Sequence, residues 1–351
     1  MPDAGDIVDR LHVVALPMRV RFRGITVREV ALIDGPAGWG EFGAFLEYEP
    51  PEAAHWLASA LEAAYQPAPA AHRDRIPINA TVPAVAAAEV PGVLARFPGA
   101  RTAKVKVAEP GQTLADDVAR VNAVRALVPT VRVDANGGGA RGGAAAPPTA
   151  LAASTVGRAW CPTLGGTPTG GWTVDEAVAA ATALTADGPL EYLEQPCRSV
   201  AELAELRRRV DVPVAADESI RKAEDPLRVV RENAADVAVL KVAPLGGIRK
   251  MLDIAAQIDI PIVVSSALDS AVGIGRGLLA AAALPELRHA CGLGTGGLFV
   301  EDVAEPVAPE DGYLPVRTVV PDPARLDALA VPAERRQWWI DRIRDCLPLL
   351  S

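Results

Sequence analysis

From residue 76 onward the sequence alternates between two textures at a nearly constant interval, and that alternation limits the folds open to it. Eight short apolar stretches read as strands: 76–82, 102–108, 131–136, 191–196, 212–218, 237–242, 261–267 and 289–295. Between most of them lie Ala-, Leu-, Asp-, Glu- and Arg-containing segments of helical period, such as 114–127, 199–210 and 245–257. A strand followed by a helix before the next strand returns to the same end of the sheet, so the strands pair in parallel. Eight such units predict a closed (β/α)8-type barrel. Successive strand starts lie 26, 29, 60, 21, 25, 24 and 28 residues apart. The one doubled interval contains 138–170, which is rich in Gly, Ala, Pro and Thr and holds no acidic residue. Joining Gly137 directly to Gly171 restores a strand, a short loop and a helix of ordinary length. The 33 residues 138–170 therefore read as a poorly ordered insertion, or as a lid at the mouth of the barrel.

Residues 1–75 have a different character. Leu11–Phe22 and Thr26–Asp34 alternate as an antiparallel pair turning around Arg23 and Gly24. The Gly- and Pro-containing stretch 35–57 reads as a loop whose Trp39, Phe42, Phe45 and Tyr48 either cover a substrate or simply pack. Pro50–Tyr65 reads as a helix, with proline at its start and alanines after it. This is a small α+β unit. The tail 298–351 is Pro-rich, ends in a helix near Gln337–Cys346 with two adjacent tryptophans, and is expected to return to the N-terminal unit.

A formal charge of −9, with no basic run, argues against a nucleic acid or an anionic membrane as partner. The four cysteines, Cys161, Cys197, Cys291 and Cys346, show no metal-site spacing and suggest a reducing compartment. The most apolar stretch, 277–284, is too short to span a bilayer, and the N-terminus does not read as a signal peptide. The expectation is a soluble cytoplasmic protein.

Chemistry in such barrels sits at the C-terminal ends of the strands. Strand two carries Lys104 and Lys106, which alternation places on one face. The chain has five lysines against thirty arginines, so these lysines do not merely supply positive charge. Strand three ends in Asp134, strand four in Glu194, strand five in Asp217 and Glu218, strand six in Lys241, and strand seven in Ser265 and Ser266. Three carboxylates on three consecutive strands suit one Mg²⁺, a hard cation that keeps open positions for substrate oxygens. Strands two and six stand opposite each other in an eight-membered ring, so Lys106 and Lys241 face one another across the cavity. That arrangement fits removal of a proton beside a carboxylate by one lysine, with the metal and the other lysine stabilising the resulting enediolate. Asn136 follows Asp134 and is a candidate to contact substrate. Arg132 shares a face with Asp134 and either reaches substrate or pairs with an acid. Ser265 and Ser266 either bind a carboxylate or serve ordinary strand-end roles. Glu218 points away from Asp217 and orders its neighbours. The glycine-rich 292–297 reads as a loop that lets backbone approach substrate.

These motifs resemble the enolase superfamily, muconate-lactonizing-enzyme subgroup. KVK at 104–106, VDAN at 133–136, LEQP at 193–196, ADES at 216–219 and LKV at 240–242 carry the resemblance, which spans nearly the whole chain except 138–170. It implies a (β/α)7β barrel over 76–297, capped by an α+β domain built from 1–75 and 298–351. It implies Asp134, Glu194 and Asp217 as Mg²⁺ ligands. The cap segments 20–33 and 38–54, the INATVPA opening at 78–84 and RVDAN narrow it to short-capped dehydratases of the subgroup. Their implied reaction is loss of water from 2-succinyl-6-hydroxy-2,4-cyclohexadiene-1-carboxylate, with Lys106 as base and then acid, Lys241 opposite it, and Lys104 tuning Lys106. Two other readings stand. One is an N-acylamino acid racemase or dipeptide epimerase, since opposed lysines also serve two-base racemisation. The other is a silent metal-binding relative disabled by 138–170.

Overall fold

The computed structural model describes residues 2–22, 25–136, 171–221 and 225–350. The segment 138–170 and the turn at Arg23–Gly24 lie outside the described residues.

The N-terminal part forms a three-stranded antiparallel sheet of β1 (Leu11–Phe22), β2 (Ile25–Gly35) and β3 (Gly38–Phe42). The third strand falls where the sequence reads as loop. Gly38 closes the turn from β2, but Gly40 answers to packing. A Cβ on Gly40 would lie 2.0 Å from the carbonyl oxygen of Ala60, in the helix Pro50–Tyr65 that crosses the sheet. Phe42 and Phe45 are buried in this unit's core, with the Phe42 ring edge-on to Trp339 at 5.4 Å. The aromatic stretch is thus largely packing.

The tail is tied to the same unit. Trp339 and Arg335, on the helix Ala333–Cys346, both donate to Glu29 Oε2 of β2, at 3.0 and 2.6 Å. Arg342 donates to the carbonyls of Ala44, Phe45 and Tyr48. One apolar cluster joins residues of 7–64 with Leu298, Phe299, Trp339, Ile340 and Ile343.

The second part is a ring of parallel strands. After β4 (Arg75–Pro77) come β5 (Ala80–Val82), β6 (Thr102–Lys106), β7 (Thr130–Asp134), β8 (Leu193–Glu194), β9 (Val214–Ala216), β10 (Val237–Leu240) and β11 (Ile262–Val264). The strands β5 to β11 pair in sequential order. The stretch expected as strand eight reduces to two bridging residues that close the ring. Cys291 N donates to Pro77 O at 2.7 Å, and Gly292 N donates to Val264 O at 2.8 Å. Expected strand one is divided: β4 turns aside to pair antiparallel with β12 (Tyr313–Pro315) before β5 enters the barrel.

Period-two alternation sorts the barrel's side chains. Ala103, Val105, Val131, Val133, Leu193, Val214, Ala216 and Leu240 face outward into the larger core against the helices. Tyr192, Ala215, Val237, Val239 and Val263 form a separate small cluster filling the interior. One pleat nearer the C-terminal ends, the same inward face carries the charged residues.

Capping boxes start the helices where the sequence places them. Thr113 with Asp116, Thr173 with Glu176, and Ser199 with Glu202 open Leu114–Arg125, Val174–Thr185 and Val200–Arg207. The expected helix 245–257 starts only at Ile248 and runs to Ala255; Gly246 and Gly247, whose φ values of 93° and 125° are left-handed, separate it from a short turn of helix at Val242–Leu245.

Candidate active site

The inward side chains at the strand ends meet in one place. Lys104 and Lys106 on β6, Lys241 just past β10, Asn136, Ser265 and Ser266 all line a single cavity, with Thr81, Leu268, Gly292 and Thr295 completing it. The three acids lie behind the amines, each at most 1% exposed. Lys104 Nζ bridges two of them, 2.8 Å from Glu194 Oε1 and 3.1 Å from Asp134 Oδ2. Lys106 Nζ donates to Asp134 Oδ2 and, at 2.8 Å, to Asn136 Oδ1. Lys241 Nζ donates to Asp217 Oδ2 at 2.7 Å, and Arg221 Nε donates to the other oxygen, Oδ1, at 3.0 Å.

Asn136 owes its reach to its backbone. Its φ of 53° is left-handed, which asparagine tolerates better than most residues, and its N–H donates to Asp134 Oδ1 at 2.9 Å. Glu218 accepts from Arg221 Nη2 at 2.7 Å, so it helps fix the arginine that fixes Asp217. Sequence reading missed Arg221, although it stands four residues after Asp217 at the start of a helical turn, a spacing that brings side chains together.

Burial and neighbouring charge set the ionisation of the acids. Burial pushes the Glu194 carboxyl up, Asp134 beside it adds to this, and the result is about 7. Burial also pushes Asp134 up, but Lys106 and Lys104 outweigh it and hold this carboxyl well below the usual range. Asp217 is likewise held low against burial by Lys241 and Arg221. Burial works to lower the Lys104 amine, but Glu194 and Asp134 reverse this and raise it, so Lys104 is a fixed cation.

Arg132 does not reach the cavity, which corrects its assignment as a substrate-binding group. It is fully buried one pleat below Asp134. Its Nε and Nη1 donate to Glu191 and to the Tyr192 hydroxyl, at 2.8 and 2.7 Å, and Nη1 also reaches Ala290 O at 2.9 Å. His289 joins Glu191 from the other side at 2.8 Å. Ser265 and Ser266 do line the cavity; the Ser266 hydroxyl shares a 2.7 Å hydrogen bond with Thr295. The backbone at Gly292 also borders it.

Among the described residues, no three His, Cys, Asp or Glu side chains are gathered closely enough to hold an ion as they stand. The donor set nevertheless fits a hard divalent cation. Three buried carboxylates come from adjacent strands, and Glu194 Oε2 is buried with no hydrogen-bond partner. Lysine amines hold Glu194 Oε1, Asp134 Oδ2 and Asp217 Oδ2, and the Asn136 N–H and the Arg221 guanidinium hold the remaining oxygens of Asp134 and Asp217.

Two enolase family models match the chain. One, for the N-terminal domain, covers residues 13–64, and the other, for the C-terminal domain, covers 150–322. An o-succinylbenzoate synthase of Mycolicibacterium smegmatis is 74% identical over the whole chain and 99% of the relative. One of Mycobacterium tuberculosis is 69% identical, covering 100% of this chain and 97% of the relative. The chain belongs to the o-succinylbenzoate synthase family. Like the other o-succinylbenzoate synthases, it is a hydro-lyase of the enolase superfamily. Solved structures agree on the fold. Muconate lactonizing enzyme of Pseudomonas fluorescens superposes with a TM-score of 0.67 at 20% identity, over 92% of this chain and 98% of that one. N-succinyl Arg/Lys racemase of Bacillus cereus gives 0.69 at 17% identity, over 92% and 97%. The (β/α)7β barrel with an α+β cap is therefore the fold of this o-succinylbenzoate synthase family member. No helix among the described residues is long and apolar enough to cross a membrane.

Proposed function

We propose that the chain catalyses Mg²⁺-dependent syn dehydration of 2-succinyl-6-hydroxy-2,4-cyclohexadiene-1-carboxylate to 2-succinylbenzoate, a cytoplasmic step of menaquinone biosynthesis. The observation that carries this reading is the cavity between Lys106 and Lys241, two amines from strands on opposite sides of the ring. Lys106 Nζ, as the neutral amine, takes the proton from C1, the carbon bearing the carboxylate, and becomes the ammonium. The electron pair left behind is delocalised into that carboxylate as an enediolate, and Lys241 stabilises it from the other face. Lys106 then returns the proton to the C6 hydroxyl. The C6–O bond breaks, water leaves, and the ring becomes aromatic. One lysine suffices as base and acid because both groups leave from one face. Lys104, held charged by Glu194 and Asp134, adds a fixed positive field beside the carboxylate.

Asp134, Glu194 and Asp217 would hold the Mg²⁺, which when bound supplies further positive charge against the enediolate. The charge balance supports this. With Lys106 neutral, as a base must be, the buried cations Lys104, Lys241 and Arg221 fall one charge short of Asp134, Glu194, Asp217 and Glu218. Two further positive charges match the two carboxylates of the substrate, so the loaded site stays within one charge of neutral.

The same opposed lysines favour a second reading, racemisation of N-acylamino acids. The test is an assay of purified protein with each substrate, with and without EDTA. Dehydration that EDTA abolishes supports the proposal. Racemisation without dehydration reverses it, and turnover of neither substrate indicates a silent relative.

A further inference from the structure

One wall of the cavity is held from outside the barrel. Leu268 lines the cavity beside Lys241 and Ser266, and its φ of 65° is left-handed. A branched side chain in that conformation is strained, so something must impose it. Two contacts do. Asp269 Oδ2 accepts from the N–H of Ala267 at 3.1 Å, tightening the turn. The carbonyl of Leu268 accepts from Arg28 Nε at 3.1 Å, across 240 residues of sequence.

Arg28 belongs to β2 of the cap and does not line the cavity. It is 2% exposed, its Nη2 donates to Gly43 O, and its guanidinium lies 4.3 Å from the centre of the Phe45 ring. A buried guanidinium is expensive to desolvate, and here it is spent on joining a cap loop to a barrel loop. The next residues along are fixed from the same side. Glu41 of β3 accepts from the N–H groups of Ser270 and Gly273, at 3.1 and 3.0 Å, where the helix Ala271–Ala283 begins. Ala267 and Leu268 belong to the cap's apolar cluster rather than to the barrel's. The loop carrying Ser265, Ser266 and Leu268 is thus part of the cap in packing and part of the barrel in connectivity.

We propose that Arg28 is a positioning residue for the reaction: by holding the Leu268 carbonyl it keeps the left-handed turn, presents the leucine side chain to the substrate ring, and so lets the cap set the shape of the substrate cavity. This rests on the reading of that cavity as the substrate site. Without Arg28, Leu268 relaxes towards an unstrained conformation and the wall shifts. Lys106 and Lys241 stay in place because β6 and β10 hold them. The loss therefore falls on substrate affinity, not on the chemical step.

The test is a double-mutant cycle on the full-length protein with Arg28→Met and Leu268→Gly. Glycine adopts the left-handed turn without the tether but removes the side chain. Arg28→Met is expected to raise KM about tenfold with kcat within about threefold, and Arg28→Lys to recover part of the loss. The double variant is expected to have a KM no more than about twofold above the worse single variant, because both changes act on one wall. Effects that multiply overturn the proposal, as does an unchanged KM in Arg28→Met. If Arg28→Met does not fold by circular dichroism, Arg28→Lys replaces it in the cycle. The dissociation constant for 2-succinylbenzoate with Mg²⁺ present, measured by calorimetry, is read in parallel. A parent that binds product without turning over substrate refutes the proposed reaction while leaving this cycle decisive. A parent that binds none overturns both.

Discussion

Lys106 and Lys104 sit two residues apart on one face of one strand, yet their surroundings differ. Lys104 is clamped between Glu194 and Asp134. Lys106 shares Asp134 and donates also to the neutral amide of Asn136, a contact it can exchange for a substrate at little electrostatic cost. Lys106→Ala should therefore lower kcat by about 10³ or more while the protein still binds 2-succinylbenzoate in calorimetry. Asp217→Asn keeps the shape but takes the paired charge from Lys241 and leaves Arg221 with Glu218 alone of its two acids. Mg²⁺ affinity and activity should fall together, as a titration of activity against Mg²⁺ reads directly. A variant that lost activity with unchanged Mg²⁺ dependence would take Asp217 out of the proposed ligand set. At this scale the sequence was informative because parity is binary: a residue two positions from a known inward residue is also inward. Parity does not report depth. Arg132 shares the face of Asp134 but lies one pleat lower, about 7 Å along the strand, where Glu191 and Tyr192 take its donors. Arg221 went unseen for the opposite reason. It lies off the strand, and only the short helix Glu218–Arg221 turns it back onto Asp217.

At the scale of elements, the helices were legible from their period and the strands from short apolar stretches at regular spacing, while the caps that start the helices are a further local signal. Thr113, Thr173 and Ser199 each begin a helix with an acid three residues on, and that signal is local. The barrel strands are only two to five residues long from β5 to β11, because each is needed only to carry its inward side chains across one or two pleats. The sequence spacing finds them but overruns their ends. The strand β3 was hidden because glycine has two meanings. In 35–43 the glycines suggested a turn, whereas at Gly40 the missing side chain admits the backbone of the helix Pro50–Tyr65. Only the packed structure separates the two. Gly40→Ala drives a methyl into the Ala60 carbonyl and should force sheet and helix apart, at a cost on the order of 1–3 kcal/mol or more. A lowered Tm is the expected reading. Because Arg28 and Glu41 reach the cavity wall from this sheet, KM should rise as well. An alanine variant with parental Tm would mean that the helix can slide aside.

For the whole molecule, closure of the barrel followed from counting units, but the way the cap, tail and barrel share one seam did not. The N-terminus of the helix Ala271–Ala283 collects three parts of the chain: Glu41 from the cap sheet, Ser270 from the barrel, and Asp302 from the tail. Both Asp302 oxygens accept from the N–H of Ala271, and Oδ1 also accepts from the N–H of Val303 at 2.7 Å. Burial nevertheless dominates and pushes this carboxyl up to about 6, against those N–H groups and against Arg325. The folded value exceeds the ordinary 3.8, so between the two the native state holds the proton more tightly than the unfolded chain. Asp302 therefore contributes most to stability below about pH 4. That contribution is lost as pH rises through about 6, on the order of 3 kcal/mol in all. Asp302→Asn removes the titration and keeps the size of the side chain. The Tm of the parent minus that of the variant should fall between pH 4.5 and pH 7.5, because only the parent must bury a charge at the higher pH. A difference that is flat, or that grows with pH, would mean that the helix N-terminus and Arg325 stabilise the carboxylate more than burial costs it. The tail would then be held to the barrel by charge rather than in spite of it.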